Sequence, residues 1–278
     1  MSALAEFWRR FSLNAAAVIG LVFLLLIVAT AIFGPFLYPV DPYDMIGRPS
    51  QPPSARFPLG TDVSGRDILA GLIGGARVSL LIGLIASLGA TVLGVTVGAL
   101  AGYRGGWTDV VLMRLTDFFL TIPSFVLAVV IIAIFGPSIV TVTAAIAVVS
   151  WPPVARLARA EFMSQRDREY VQACRALGMS GLEIATRQIM PNALPPVIVV
   201  SSLLVATAIL TESGLSFLGL ADPDLISWGY MIGVGRTVLR TAWWMPAIPG
   251  LAILVTVLCI NLVGEGLNDA LNPRLRQR

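Results

Sequence analysis

Residues 156–192 read RLARAEFMSQRDREYVQACRALGMSGLEIATRQIMPN and form a polar island between two long apolar runs. The island contains six arginines and four acids, namely Arg156, Arg159, Arg166, Arg168, Arg175, Arg187, Glu161, Asp167, Glu169 and Glu183. A chain that only reverses direction needs a few residues. A connection of this length, with a helical pattern of its own, therefore indicates a segment that docks against something.

The sequence on either side of the island is apolar enough to cross a membrane several times. Of the 278 residues, 56% are hydrophobic and 13% are charged, whereas soluble domains carry about 25% charged residues. Several uncharged windows reach the roughly 20 residues that a spanning helix needs. They predict an all-α polytopic membrane protein with six transmembrane helices. The predicted spans are 15–36, 78–103, two within 118–155, one within 188–211 that starts after Asn192, and 241–264. Gly136-Pro137-Ser138 would form the tight turn between the third and fourth spans.

The distribution of arginine predicts the orientation of these spans. Thirteen arginines, including Arg274, Arg276 and Arg278, fall on the side of the N-terminus and the island, and six fall on the other side. Because positive charge favours the cytoplasm, both termini and the island are expected to be cytoplasmic. The predicted divisions are a cytoplasmic N-terminus with the first span at 1–36, an extracytoplasmic segment at 37–76, and a membrane domain of five helices at 77–278. We expect the first span to be a retained anchor, since its apolar stretch is longer than that of a signal peptide.

Missing residue types exclude several kinds of chemistry. The chain has no histidine and no lysine, which excludes a Walker A loop, a Schiff-base enzyme, an HExxH metalloprotease and histidine-activated nucleophiles. The two cysteines, Cys174 in the island and Cys259 in the last span, are badly placed for a disulfide. We therefore expect no catalytic residue, metal site or cofactor in this chain, and no nucleic-acid partner.

Three classes of function remain to be compared. The predicted spans contain almost no ionisable groups, with Glu212 and Glu265 near span ends and Asp117 at an entrance, whereas ion-coupled carriers usually have acids within the membrane. A self-contained channel or secondary carrier would also leave the island unexplained. An intramembrane enzyme would lack histidine and a membrane-embedded aspartate pair. A transport subunit whose free energy is supplied by another subunit is favoured.

The island itself has a helical pattern. Asp167 is the predicted N-cap of a helix over Arg168–Leu177, and Tyr170, Ala173, Cys174 and Leu177 would form one apolar stripe. Gly178 and Gly181 would break the chain before a second helical piece, Leu182–Met190, that ends at Pro191. The stripe fits either a helix on the membrane surface or a helix in the groove of a soluble partner.

The spacing of Gln172-Ala173-Cys174, Gly178 and Pro191 resembles the EAA loop of inner-membrane permease subunits of ATP-binding cassette importers. Gln172 departs from the family's glutamate, and Cys174 departs from its second alanine. Seven further blocks resemble the C-type permease of the dipeptide, oligopeptide and nickel branch, and they are 58–62 (PLGTD), 65–67 (GRD), 75–80 (GARVSL), 168–171 (REYV), 190–195 (MPNALP), 215–220 (LSFLGL) and 227–229 (SWG). Residues 221–224 (ADPD) differ from the glycine and proline-rich stretch of the family.

This resemblance implies partners and a location. The partners would be a second permease subunit, two ATPase subunits or domains that bind ATP and Mg, membrane lipid, and an extracytoplasmic binding protein. The location would be the bacterial inner membrane. The solute would be a peptide, or alternatively a nickel chelate, an opine or glutathione. The implied ATPase-coupling residues are Glu169, Tyr170, Gln172, Ala173, Cys174, Arg175, Leu177, Gly178 and Pro191. Candidates for contact with the binding protein are Asp222, Asp224 and Trp228, within the outer segments Leu37–Ala76 and Gly214–Met245.

The remaining motifs favour structural roles. Gly94, Gly98 and Gly102 recur at helical spacing and favour close helix packing over a pore lining. Residues 60–67 predict an external turn, with Asp62 and Ser64 as helix caps, followed by a short helix through Ala76 on the outer membrane face. Trp243-Trp244 is typical of an interfacial belt. We expect Glu212 to be solvated or paired, and not to bind substrate.

Overall fold

The computed structural model describes residues 3–271, and these are almost entirely helical. The helices are α1 (Ala3–Leu13), α2 (Ala15–Leu37), α3 (Ile68–Arg104), α4 (Gly106–Thr121), α5 (Ser124–Phe135), α6 (Ile139–Arg166), α7 (Glu169–Ala176), α8 (Gly181–Glu183), α9 (Met190–Phe217), α10 (Trp228–Gly235) and α11 (Trp244–Leu271). A π-helical turn, Ile184–Ile189, joins α8 to α9. The predicted all-α class is confirmed. Arg274, Arg276 and Arg278 lie outside the described residues.

Five helical stretches are long and apolar enough to span a membrane, namely α2, α3, α6, 181–217 and α11. The pair α4 and α5 counts as a sixth if it is one broken span, because the two helices meet at 86°. The turn at Gly136 to Ser138 lies between α5 and α6 as predicted. The predicted window 118–155 begins inside α4, which extends from Gly106 to Thr121. The chain breaks at Ile122-Pro123, since proline lacks an N–H and disfavours helix at the preceding residue.

Helix α3 is one continuous helix from Ile68 to Arg104, about 55 Å long at 1.5 Å per residue. The predicted separate short helix through Ala76 is therefore wrong, and the predicted boundary at 76/77 falls inside α3. The predicted caps are wrong as well, because the Oδ1 atom of Asp67 accepts the N–H of Leu69 at 2.8 Å. Asp62 instead closes the preceding turn by accepting the N–H groups of Ser64 and Arg66.

The glycines of α3 allow close packing against α6, as predicted. A Cβ added to Gly98 would lie 2.4 Å from the carbonyl oxygen of Ala155. A Cβ added to Gly94 would lie 2.8 Å from the carbonyl oxygen of Trp151, and one added to Gly102 would lie 2.6 Å from that of Arg159. The two helix backbones can approach this closely only because no side chain stands between them.

The ends of the bundle are distinct. One end contains the start of α2, the ends of α3, α6 and α11, and the polar island. We call it the island end. There Asn14 Nδ2 donates to Asp269 Oδ2 at 3.0 Å, and Arg166 Nη1 donates to the carbonyl of Gly102 at 3.1 Å. The opposite end, with residues 38–67 and 218–243, is the loop end. Since both the start of α2 and the end of α11 are at the island end, the helices cross the bundle an even number of times.

The two long connections at the loop end pack together. Residues 38–67 are pinned by isolated bridges between Met45 and Arg66 and between Thr61 and Asp67. Ile68, Ala242 and Met245 form a buried cluster, against which Leu59 and Trp244 also pack. The predicted outer segments are therefore in contact with each other.

Candidate functional site

The island helix α7 begins at Glu169, with Arg168 as the residue before its first turn. The predicted N-cap, Asp167, is wrong. Asp167 has φ −98° and ψ 6° and ends α6, so it belongs to the preceding helix. Glu169 lies in the first turn of α7, where a negative charge interacts favourably with the helix dipole. Residues 156–166 of the island likewise belong to α6, so the connection outside the long helices is shorter than the sequence indicates.

One face of α7 is anchored to the rest of the protein. Val171 is fully buried in a cluster with Phe162, Ile184 and Ile189. Tyr170 and Cys174 pack against the same cluster, and the Tyr170 hydroxyl donates to Gln165 Oε1 at 3.0 Å. Tyr170 is therefore partly buried against this cluster, and only the remainder of its surface is free to meet a partner. The tyrosine ring has enough apolar surface to join the cluster around Val171. The predicted stripe did not include Val171.

The opposite face of α7 is uncovered in this chain. Gln172, Ala173, Arg175 and Leu177 are exposed, and Leu177 is 83% exposed. This face is small, apolar at its centre and polar at its edge. A leucine that remains this exposed at the end of an anchored helix fits a groove in a partner protein.

Gly178 ends α7 as predicted. Its φ is +78°, a conformation that costs glycine little and most other residues more. The N–H of Met179 bonds to the carbonyl of Cys174 at 3.1 Å, which closes a Schellman-type helix end.

The second helical piece of the island does not end at Pro191, contrary to prediction. Pro191 lies in the first turn of α9, directly after the π-helical turn 184–189. A wider π turn relieves the clash between a proline ring and the carbonyl four residues earlier. The chain is therefore helical without a break from Gly181 to Phe217.

At the loop end, only one of the three candidate residues is freely exposed. Trp228 is 3% exposed, and its indole N–H donates to the carbonyl of Leu72 at 2.9 Å. The prediction that Trp228 lies on a docking surface is wrong, because this side chain fills the space between α3, α9 and α10. Asp222 is half-buried and accepts the N–H of Ile139 at 2.8 Å, at the start of α6. Asp224 is exposed.

Glu212, which the sequence predicts to be solvated or paired near a span end, is buried and hydrogen-bonded to two serines. It is 3% exposed, and its Oε1 atom accepts the hydroxyls of Ser216 at 2.8 Å and Ser227 at 2.7 Å. Ser216 follows at helical spacing and could have indicated a partner for the carboxylate. Ser227 is distant in sequence and gave no such signal.

The described residues offer no metal centre. Between residues 3 and 271, no three cysteine or acidic side chains are grouped so that they could bind a metal ion. Cys174 and Cys259 are free thiols.

Comparison with known families identifies the family of this chain. Residues 94–277 match the family described as the inner membrane component of binding-protein-dependent transport systems. The chain belongs to this family. Residues 2–53 match the N-terminal transmembrane domain of oligopeptide transport permease C. The similarity to this type of permease therefore includes the N-terminal span as well as the island.

Relatives cover nearly the whole permease. The di/tripeptide transport system permease protein DppC of Pseudomonas aeruginosa is 44% identical over 99% of this chain and 93% of its own length. The dipeptide permease DppC of Escherichia coli K12 is 41% identical, over 100% of this chain and 95% of its own. The glutathione permease GsiD of Pectobacterium atrosepticum is 37% identical, over 98% and 91%.

The fold is also that of a solved importer. A chain of the MetNI methionine ABC transporter, in an inward-facing conformation, superposes with a TM-score of 0.60 at 18% identity, covering 73% of this permease and 96% of that chain. The family and these relatives make the permease a multi-pass inner-membrane transport subunit and not an enzyme. As a component of a binding-protein-dependent transport system, it works with a binding protein.

Proposed function

We propose that this permease forms one half of the translocation pathway for di- and oligopeptides that an extracytoplasmic binding protein delivers. The near-complete alignment with two dipeptide permeases supports this substrate class. The alignment with a glutathione permease favours one alternative, because glutathione is itself a small peptide. Selectivity between these solutes would reside mainly in the binding protein.

The other half of the pathway would be a second, related permease. Helices α4 and α5 expose large apolar side chains to their surroundings, among them Trp107, Phe118, Ile134 and Phe135. Such a face needs lipid or another apolar subunit beside it. The solute would pass along the seam between the two permeases. In the proposed orientation, the island end and both termini face the cytoplasm and the loop end faces the binding protein.

The coupling site would be the exposed face of α7, around Ala173 and Leu177. The observation that carries this proposal is the contrast between the two faces of α7. Val171 is buried and anchors the helix, whereas Leu177 is 83% exposed. An ATPase groove would cover Leu177. Two ATPase subunits or domains, which bind ATP and Mg themselves, would complete the transporter.

Ala173→Asp tests this site directly. Burying an unpaired charge in a groove costs several kcal/mol, so the variant should lose ATPase subunits on purification and lose peptide uptake while still inserting in the membrane. Ala173→Ser is the matched control and should retain both. A helix that only rests on the membrane would behave differently. Normal ATPase association and normal uptake by Ala173→Asp would rule out the coupling role of α7.

The substrate class needs a separate measurement. Proteoliposomes with the complete transporter and its binding protein should accumulate a labelled dipeptide, and excess unlabelled tripeptide should compete with it. Uptake of glutathione without uptake of dipeptides would assign the alternative solute.

A further inference from the structure

Glu212 connects two helices at the loop end through a buried hydrogen bond. Its Oε1 atom accepts the hydroxyl of Ser227, the residue before α10, at 2.7 Å. Both residues are 3% exposed. Water does not compete for a hydrogen bond in this environment, so the bond is stronger than an exposed one.

The first turn of α10 is seated directly on this carboxylate. Ser227 Oγ also accepts the N–H of Tyr230 at 3.0 Å, which caps α10. A Cβ added to Gly229 would lie 2.7 Å from Glu212 Oε2, so α10 lies against the acid with no space between them. The N–H of Trp228 donates to Ser79 Oγ at 3.0 Å, which adds a contact to α3. The start of α10 is therefore in direct contact with both α9 and α3.

Helix α9 extends from this junction to the island. The chain is continuously helical from Gly181 to Phe217, a length of about 55 Å at 1.5 Å per residue. At the island end, Ile189 and Ala193 pack against Val171 of α7. This continuous helical stretch therefore has packed contacts at both ends, with α10 at the loop end and with α7 at the island end.

We propose that Glu212 is a positioning residue that joins the loop-end surface to α7 through α9. A displacement of α10 by the loaded binding protein would pull on α9 at Glu212 and reach the ATPase through α7. This inference rests on the proposed function, because it requires that the binding protein acts at the loop end and the ATPase at α7. It adds the residue through which the two surfaces communicate.

The experiment compares two serines that donate to the same carboxylate oxygen. Ser227→Gly removes the bond between α9 and α10, and glycine costs a helix cap only a few tenths of a kcal/mol. Ser216→Ala removes a bond within α9 and is the matched control. Glu212→Ala removes both bonds, and Glu212→Gln restores an oxygen acceptor. Each variant is studied as the complete transporter in proteoliposomes, with ATP hydrolysis measured with and without the peptide-loaded binding protein.

We expect the ratio of stimulated to unstimulated hydrolysis to fall about tenfold in Ser227→Gly and Glu212→Ala, a coupling change of about 1.4 kcal/mol. Ser216→Ala and Glu212→Gln should retain most of the stimulation. A general loss of structure would lower both rates together and would leave the ratio unchanged.

Each other result contradicts the inference. An unchanged ratio in Ser227→Gly would overturn it, as would an equal loss in Ser216→Ala. If Glu212→Ala does not assemble, Ser227→Gly alone decides the outcome. Failure of the proposed function is recognised separately, because the wild-type transporter would then show no stimulation by the binding protein.

Discussion

Arg159 of α6 donates two hydrogen bonds to the carboxylate of Asp109 in α4, from Nε at 2.5 Å and from Nη2 at 2.6 Å. The side chains are 32% and 18% exposed. Part of the positive charge of the island thus secures the permease's own α4 and is not available for docking. A second pair, Arg156 with Asp117, also joins α6 to α4 but is about half exposed.

Loss of the shielded pair should loosen α4. Asp109→Asn should lower stability by about 1.5–3 kcal/mol, the usual range for hydrogen bonds to charged groups. The apparent melting temperature of the detergent-purified subunit measures this. Asp117→Asn is the control and should have little effect, since exposed ion pairs contribute about 0–1 kcal/mol. Exchanging the two charges, with Asp109→Arg and Arg159→Asp together, should recover part of the loss; no recovery would mean that the pair is not the cause.

The contact between α3 and α6 should not tolerate a methyl group at Gly98. In Gly98→Ala the new Cβ would lie 2.4 Å from the carbonyl oxygen of Ala155, so the two helices must separate. We expect a marked fall in melting temperature and in the yield of folded subunit. Gly250→Ala in α11 is the matched control, because its Cβ would meet only Ile232 Cδ1, at 4.0 Å. Equal behaviour of the two variants would contradict close packing at Gly98.

Gly178 should be required for its backbone conformation and not for space. A Cβ there would meet nothing within 4 Å, but φ is +78°. Gly178→Val should therefore strain the end of α7 by about 1–3 kcal/mol and reduce peptide uptake. Gly178→Asn should retain most uptake, because asparagine adopts positive φ more readily. Similar losses in both variants would indicate that the side chain clashes with a partner.

The exposed acid at the loop end should matter for the binding protein. Asp224→Arg should weaken the stimulation of ATP hydrolysis by the binding protein, because reversal of a charge at an interface disturbs electrostatic complementarity. Asp224→Glu retains the charge and should behave as wild type. Stimulation is measured in proteoliposomes over a range of salt concentrations. An unchanged response in Asp224→Arg would place the docking surface elsewhere.

Alkaline pH should destabilise the junction between α2 and α3. The Tyr38 hydroxyl donates to Asp67, and this hydrogen bond raises the pKa of Tyr38 from 10.0 to about 12. Because the folded-state pKa is the higher one, the stabilisation is complete below pH 10 and is lost as the pH rises toward 12. Tyr38→Phe should flatten the fall in melting temperature between pH 10 and 12, and an unchanged slope would contradict the assignment.

The island shows which features of a helix local sequence patterns can predict. The sequence predicted a helix that ends at Gly178, and the helix Glu169–Ala176 with positive φ at Gly178 confirms it. The sequence did not predict which face of this helix is buried. The helical pattern predicts one stripe with Tyr170 and Ala173, but Tyr170 packs partly against the buried cluster and Ala173 is exposed. The period of a helix identifies neighbouring residues, whereas the partner of a face depends on segments that are distant in sequence.

By itself, the sequence determined the all-helical membrane class, the turn at Gly136 to Ser138, the glycine face of α3 and the position of α7. These features follow from hydropathy and from the backbone freedom of glycine, which are properties of short segments. Only the tertiary structure decided that α3 and the stretch from Gly181 to Phe217 are continuous, that Trp228 is buried, and that Glu212 meets Ser227. The physical reason is that burial and hydrogen bonding at these positions are set by residues brought from other helices. No local pattern can specify such contacts.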